Sequence, residues 1–196
     1  MRVPLENGCI TLSRAGRNTI YPANFQLLMA TNPCPCGNYG SKTKICLCSA
    51  RAIEQYWKKI SAPLLDRIDL RVPVENENEN CEEKKSENDE RKGFNSTEEI
   101  RKKIAKAVKM QKKRQSVKNA KLSPQEIEKF CKLNEECSEL LKKAVERYGF
   151  SPRAIASCLK VARTIADMEE KESILPIHLA EAIDYRKLCS NIVPEI

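Results

Sequence analysis

The sequence predicts an α/β segment followed by a bundle of helices, and three observations set that expectation. Phe25-Gln26-Leu27-Leu28-Met29-Ala30 is apolar at almost every position rather than at alternate ones. That pattern suits a strand covered on both faces, as in a parallel sheet. From Ser96 onward, apolar residues recur at helical spacing, with Ser, Pro and Gly in cap positions. Between the two, Glu75 to Gly93 is mainly Glu, Asn, Lys and Ser without an apolar pattern, which reads as a mobile linker. The expected domains are 1–74, an acidic linker at 75–95, and 96–196.

Within the first segment, residues 7–24 read as a β-hairpin. Cys9-Ile10-Thr11-Leu12 and Thr19-Ile20-Tyr21 are strand-like, and Arg14-Ala15-Gly16-Arg17-Asn18 supplies the turn. Arg14 and Arg17 at its tip suit either a solvated turn or a ligand contact. The apolar run Phe25–Ala30 stops at Thr31-Asn32-Pro33, which places Asn32 at the carboxyl end of the expected strand, where α/β sheets gather ligands. Ser49 can cap a helix over Ala50 to Ile60 whose Ile53, Trp57 and Ile60 share one face. Ser61-Ala62-Pro63 ends it, Leu64 and Leu65 start a short apolar segment, and Leu70-Arg71-Val72-Pro73-Val74 reads as a final strand.

In the second segment, Ser96 and Glu99 form a capping-box signature. Ile100, Ile104, Val108 and Gln111 then mark a narrow stripe on a helix otherwise covered in Lys and Arg. Pro124 opens a short helix with Ile127 and Phe130 able to pack inward. Glu135 to Tyr148 forms another, stopped by Gly149. Ser151-Pro152 starts the next, which runs to about Glu170, and Pro176 opens the last, with Ile177, Leu179, Ala180, Ile183 and Leu188 apolar.

A chain of 196 residues can bury a real core. No apolar run approaches the roughly 20 residues of a membrane span, and the first residues lack the apolar segment of an export signal. Ten cysteines without such a signal point to reduced thiols in a cytoplasmic protein. The net charge of +8 is uneven: ten basic residues face two acidic ones between 93 and 122, whereas 75–92 carries four basic and eight acidic. Basic blocks of this kind suit a polyanion partner or a solvated face.

Four thiols are close in sequence: Cys34-Pro35-Cys36 and Cys46-Leu47-Cys48, with nine residues between the pairs. Four such thiolates can enclose one structural Zn²⁺ tetrahedrally, with Gly37 and Gly40 letting the loop fold back; reduced structural cysteines are the other reading. Gly37-Asn38-Tyr39-Gly40-Ser41-Lys42-Thr43 imitates a P-loop but has two residues between its glycines and a Ser before the Lys, so it cannot encircle phosphates. Arg67, between Asp66 and Asp69, and Arg153, in the first turn of a helix where the dipole disfavours a cation, are the candidate phosphate-handling arginines. Either could instead be a structural cation. The single histidine, His178, has no evident acidic or Cys partner in the sequence and reads as structural.

These stretches together resemble the C-terminal portion of the ComM/YifB-type magnesium-chelatase-like AAA+ ATPases. The matching residues are Pro4-Leu5-Glu6-Asn7-Gly8 to Arg14-Ala15, Tyr21-Pro22-Ala23, Ala30-Thr31-Asn32-Pro33-Cys34-Pro35-Cys36-Gly37, Leu64-Leu65-Asp66-Arg67-Ile68-Asp69-Leu70, Ser151-Pro152-Arg153-Ala154 and Leu159 to Asp167. The resemblance implies the C-terminal part of an AAA+ core, a partial parallel sheet with a β-hairpin insertion, followed by a helical lid. It implies Asn32 as sensor 1, Arg67 as an arginine finger acting on a neighbouring subunit of a hexameric ring, and Arg153 as sensor 2. Arg14 and Arg17 would face DNA from the hairpin, and the basic helix from Thr97 would belong to an insertion before sensor 2. ATP and Mg²⁺ would be cofactors of the full-length family protein only. The family's protease-like domain, Walker A and Walker B would precede Met1, so the chain is expected to be a truncated product or partial reading frame, inactive alone as an ATPase. A stand-alone zinc-stabilised nucleic-acid-binding or adaptor module, and a chelatase-type ATPase fragment, are the alternatives.

Overall fold

Eight α-helices and one two-stranded antiparallel sheet make up the regular structure among the residues described by the computed structural model, 2–14, 16–74 and 96–187. The chain divides into two compact units, Met1–Ile68 and Asp69–Lys187. The expected linker at 75–95, Ala15 of the hairpin turn and Leu188 all lie outside the described residues.

In the first unit, α1 (Arg2–Asn7) leads into β1 (Cys9–Arg14) and β2 (Arg17–Pro22), which pair from Cys9↔Pro22 to Arg14↔Arg17. The Ala23 amide donates to the Gly8 carbonyl at 2.7 Å and closes the base of the hairpin. Every residue of the two strands except Cys9 is exposed.

The parallel sheet expected beyond the hairpin is not present among the described residues. Phe25–Ala30 is irregular, and Phe25, Leu28 and Met29 are exposed. Leu70–Val74 is likewise irregular, with Leu70, Val72 and Val74 exposed. The reason is one of partners. A strand covered on both faces needs neighbours for its amides and helices over each side, and β1 and β2 satisfy only each other. An apolar run states that a segment can be buried, not that its cover is at hand.

The core of this unit is small: Cys34, Ile53 and Trp57, flanked by Tyr39, Cys46, Cys48, Tyr56 and Ile60. It is organised by α2 (Ala50–Lys58), where the Ser49 side chain accepts from the Ala52 amide as expected. A single turn, α3 (Ala62–Leu65), follows.

The second unit contains α4 (Thr97–Gln115), a 3-10 turn (Asn119–Lys121), α5 (Pro124–Phe130), α6 (Glu135–Tyr148), α7 (Pro152–Met168) and α8 (Pro176–Arg186). Capping boxes at Ser96/Glu99 and Ser123/Glu126 start α4 and α5. Gly149 ends α6 at φ +62°, a conformation that costs any L side chain about 1 kcal/mol or more. Helix α7 packs against α4, α5 and α8, and α8 also meets α6. The core gathers Leu122, Ile127, Cys137, Ala162, Leu179 and Ile183 among others.

On α4 the expected stripe is only partly used. Ala107 and Gln111 are buried, but Ile100 and Ile104 are 46% and 50% exposed. The helix packs through its C-terminal half, because what it meets there is a polar lock rather than an apolar surface. Asp167 of α7 is fully buried and accepts from Arg114 Nη1 at 2.6 Å, Arg163 Nε at 3.1 Å and Asn119 Nδ2 at 2.8 Å. Arg163 spends its other donors on the carbonyls of Lys171 and Glu172.

His178 does have an acidic neighbour. Its Nδ1 accepts the Leu175 amide at 3.0 Å, which leaves Nε2 to donate to Glu169 Oε2 at 2.9 Å. The ring caps α8 and is 1% exposed, so its role is structural. No described helix is long and apolar enough to cross a membrane.

Candidate functional site

The chemistry of the first unit is concentrated in the loop before α2. Cys34-Pro35-Cys36-Gly37 forms a tight turn, with the Gly37 amide donating to the Cys34 carbonyl at 3.0 Å. Gly37 sits at φ +81°, which a side-chain-bearing residue rarely adopts. This turn sets Cys34 Sγ and Cys36 Sγ 3.3 Å apart. The returning limb of the loop brings Cys46 Sγ to 3.7 Å from Cys34 and 3.6 Å from Cys36. With Cys48, the four sulfur atoms lie within 4.8 Å of one another.

Four thiolates around Zn²⁺ at about 2.3 Å would have sulfur–sulfur edges of about 3.8 Å. The donor set and its spacing therefore fit a tetrahedral all-sulfur metal site. Burial pushes the Cys34 thiol up, but hydrogen bonds from Cys36, Cys46 and the Tyr39 and Cys36 backbones outweigh it and bring it down to about 6. Cys46 shows the opposite balance: the Cys48 backbone favours its thiolate, yet burial and the contacts with its fellow thiols push it up to about 12. One sulfur is thus ready to ionise and is stabilised by protons on its neighbours, the arrangement that a metal cation replaces when it displaces those protons.

Helix α2 holds this loop and the segment before it in place. Trp57 Nε1 donates to the Pro33 carbonyl at 2.9 Å, and Thr31 Oγ1 and Tyr56 Oη are 3.0 Å apart. Asn32 lies between those anchors, exposed, with its side chain beside the Gly37 backbone. Sequence spacing places Ile53 and Trp57 in the core, but it carries no sign that Trp57 and Tyr56 also fix the backbone and hydroxyl on either side of Asn32.

Arg67 follows α3. Its Nη1 donates to the Pro63 carbonyl at 2.6 Å and its Nη2 to Glu6 Oε2 at 2.9 Å, with 16% of the side chain exposed. Its ion-pair partner is therefore 61 residues away in sequence, and nothing local signals it. Asp69 lies in the second unit and accepts from Ser157 Oγ of α7 at 2.5 Å. No hydrogen bond or ion pair joins Asn32 to Arg67. Arg153 is exposed in the first turn of α7, behind the Ser151 cap that accepts from the Ala154 amide at 3.1 Å. Arg14 and Arg17 face each other across the hairpin tip, on the face that also carries Leu12, Thr19 and Tyr21.

Comparison with known proteins accounts for both halves of the chain. Residues 1–82 match the family described as magnesium chelatase, subunit ChlI, and residues 94–186 match magnesium chelatase, subunit ChlI C-terminal. The chain is 38% identical to the competence protein ComM of Haemophilus influenzae over 96% of its own length. It is 35% and 36% identical, over the same share, to the uncharacterised protein YifB of Salmonella typhimurium and of Escherichia coli. It spans 36% of the length of each of these relatives.

Proposed function

The chain belongs to the magnesium-chelatase-like family of ComM and YifB, and from that premise we propose that it is the sensing and trans-acting portion of a ring-forming AAA+ ATPase that works on DNA. In this reading residues 1–74 are the later part of the α/β core, 75–95 a linker, and 96–196 the insertion and lid. Asn32 orients the attacking water and Arg153 reaches the γ-phosphate. Arg67 stabilises the charge on a phosphoryl group transferred in the neighbouring subunit of a hexamer. Arg153 thus adds one contact to ATP, whose phosphate cradle and Mg²⁺ site belong to other elements of the family. The four-cysteine loop holds a structural Zn²⁺ that keeps the Asn32 segment in shape.

The observation that supports a DNA-directed function is the hairpin. Its two strands stand exposed on both faces and end in two arginines, a form suited to reaching a polyanion rather than to closing a core. The cysteine loop favours a second reading, a zinc-stabilised adaptor without catalysis. A complementation experiment separates the two. The chain is mixed with a P-loop-bearing N-terminal portion of a relative, and DNA-dependent ATP hydrolysis is followed with Arg67→Ala and with Arg14→Ala/Arg17→Ala. The motor reading expects restored hydrolysis, a loss of about 10³-fold or more without Arg67, and weakened DNA binding without the hairpin arginines. Hydrolysis by the chain alone that vanishes in Arg67→Ala, or no restoration on mixing, overturns it. DNA binding with a steep salt dependence also separates this reading from a chelatase-type fragment acting on a tetrapyrrole.

A further inference from the structure

Helix α4 presents a charged surface that nothing in the fold requires. Lys102, Lys106, Lys109 and Lys113 are all exposed. They follow one another at i, i+4, i+7 and i+11, which on a helix of 3.6 residues per turn confines them to a sector of about 60° and a row about 16 Å long. The buried residues Ala107 and Gln111 lie on the opposite side, against α7. The lysine row therefore lies on the exposed side of α4, with Lys106 reaching Glu170 just past the end of α7, and Lys103, Arg101 and Lys112 add to the charge at its borders. Its acidic neighbours are Glu98, one turn before Lys102 at the N-terminal end of the row, Glu99, whose carboxylate accepts the Ser96 amide in capping α4, and Glu170, which is paired to Lys106 at 2.5 Å with both groups mostly exposed. A pair so exposed is worth little and exchanges readily for another anion.

We propose that this lysine row is a second contact surface for the nucleic-acid backbone, carried by the helical unit and separate from the hairpin arginines. It rests on the nucleic-acid reading above but adds a site to it. The spacing favours a linear polyanion. Four ammonium groups in a row, about 4.5 to 6 Å apart along the axis, can track successive phosphates, and no large apolar side chain interrupts the sector. A lipid surface fits less well, because an amphipathic helix enters lipid by its apolar side, and the corresponding side of α4 is packed on α7 along its C-terminal half. Contacts to phosphate carry no sequence information, so the row holds any duplex alike and fixes where it lies.

The test is the salt dependence of duplex DNA binding by the full chain. It compares the parent with K102Q/K106Q/K109Q/K113Q, with R14A/R17A, and with K118Q/K132Q/K142Q/K143Q, which removes equal charge elsewhere on the same unit. The slope of log K against log salt is expected to fall by about 3 to 4 in the row variant and by less than about 1 in the charge control. An equal change in both, or no change in the row variant, overturns the proposal. So does binding to anionic vesicles, but not to duplex, with the same lysine dependence. If R14A/R17A leaves binding intact while the row variant loses it, the hairpin contact fails and this one stands. Loss confined to R14A/R17A gives the reverse. Lysine acetylation of the parent, read by mass spectrometry with and without DNA, needs no folded variant. Protection of the four row lysines supports the site, and unchanged acetylation overturns it.

Discussion

Replacing Asp167 by Asn should cost the helical unit more than any other single isosteric change in it. The carboxylate is fully buried and is the common acceptor for Arg114, Arg163 and Asn119. The amide keeps the shape but loses the negative charge and turns one acceptor into a donor aimed at donors. Arg163, 2% exposed, then loses the carboxylate it is paired with. Removing one partner of a buried pair typically costs about 3 to 5 kcal/mol, which for a unit of this size lowers the melting midpoint by roughly 10 to 25 °C. Urea unfolding followed by circular dichroism at 222 nm measures it, with an unchanged slope showing that stability rather than compactness has altered. A loss below about 1 kcal/mol would refute the view that the charge, rather than the surrounding helix packing, joins α4 to α7. The same carboxylate sets a pH dependence. Burial alone would raise Asp167, but its bonds from Arg114 and Asn119 and the Arg163 charge hold it below the ordinary carboxylate range. Its contribution is therefore complete above about pH 4 and lost as the pH falls below that value through the depressed native one. D167N should abolish that part of the acid-induced loss.

Protein purified under reducing conditions without added metal should carry one zinc per chain by elemental analysis, and C36S/C46S should carry none; substoichiometric zinc equal in both would exclude the four-sulfur site. Gly149→Ala should lower stability by about 1 kcal/mol. An added Cβ there meets nothing within 4 Å, so only the left-handed backbone is penalised, and a larger loss in the urea midpoint would point to a clash instead.

The helical half was readable because its signals are local. Ser96 with Glu99, Ser151 with Pro152, and Gly149 each act within one turn, and each stands where the sequence places it. The four cysteines were readable for the same reason, since their loop closes over fifteen residues. What escaped the sequence depends on partners far along the chain. Phe25–Ala30 has strand composition but no strand beside it among the described residues. Ile100 and Ile104 keep helical spacing beyond the point where α7 offers anything to pack on. Glu6 meets Arg67 across 61 residues, through a fold that no short window contains.

Trp57 is the chain's single tryptophan, and it lies 7% exposed against Cys34, its indole fixed to the Pro33 carbonyl. The protein thereby carries a private optical probe of the cysteine loop. Sulfur chemistry at Cys34, whether ionisation, metal capture or oxidation, occurs beside the fluorophore, while the helices of α4 to α8 contain no indole to contribute background. Ellipticity at 222 nm comes mainly from those helices. Two wavelengths therefore follow two units in one cuvette, and whether the loop loosens before, with or after the bundle is a question that unlabelled protein can answer.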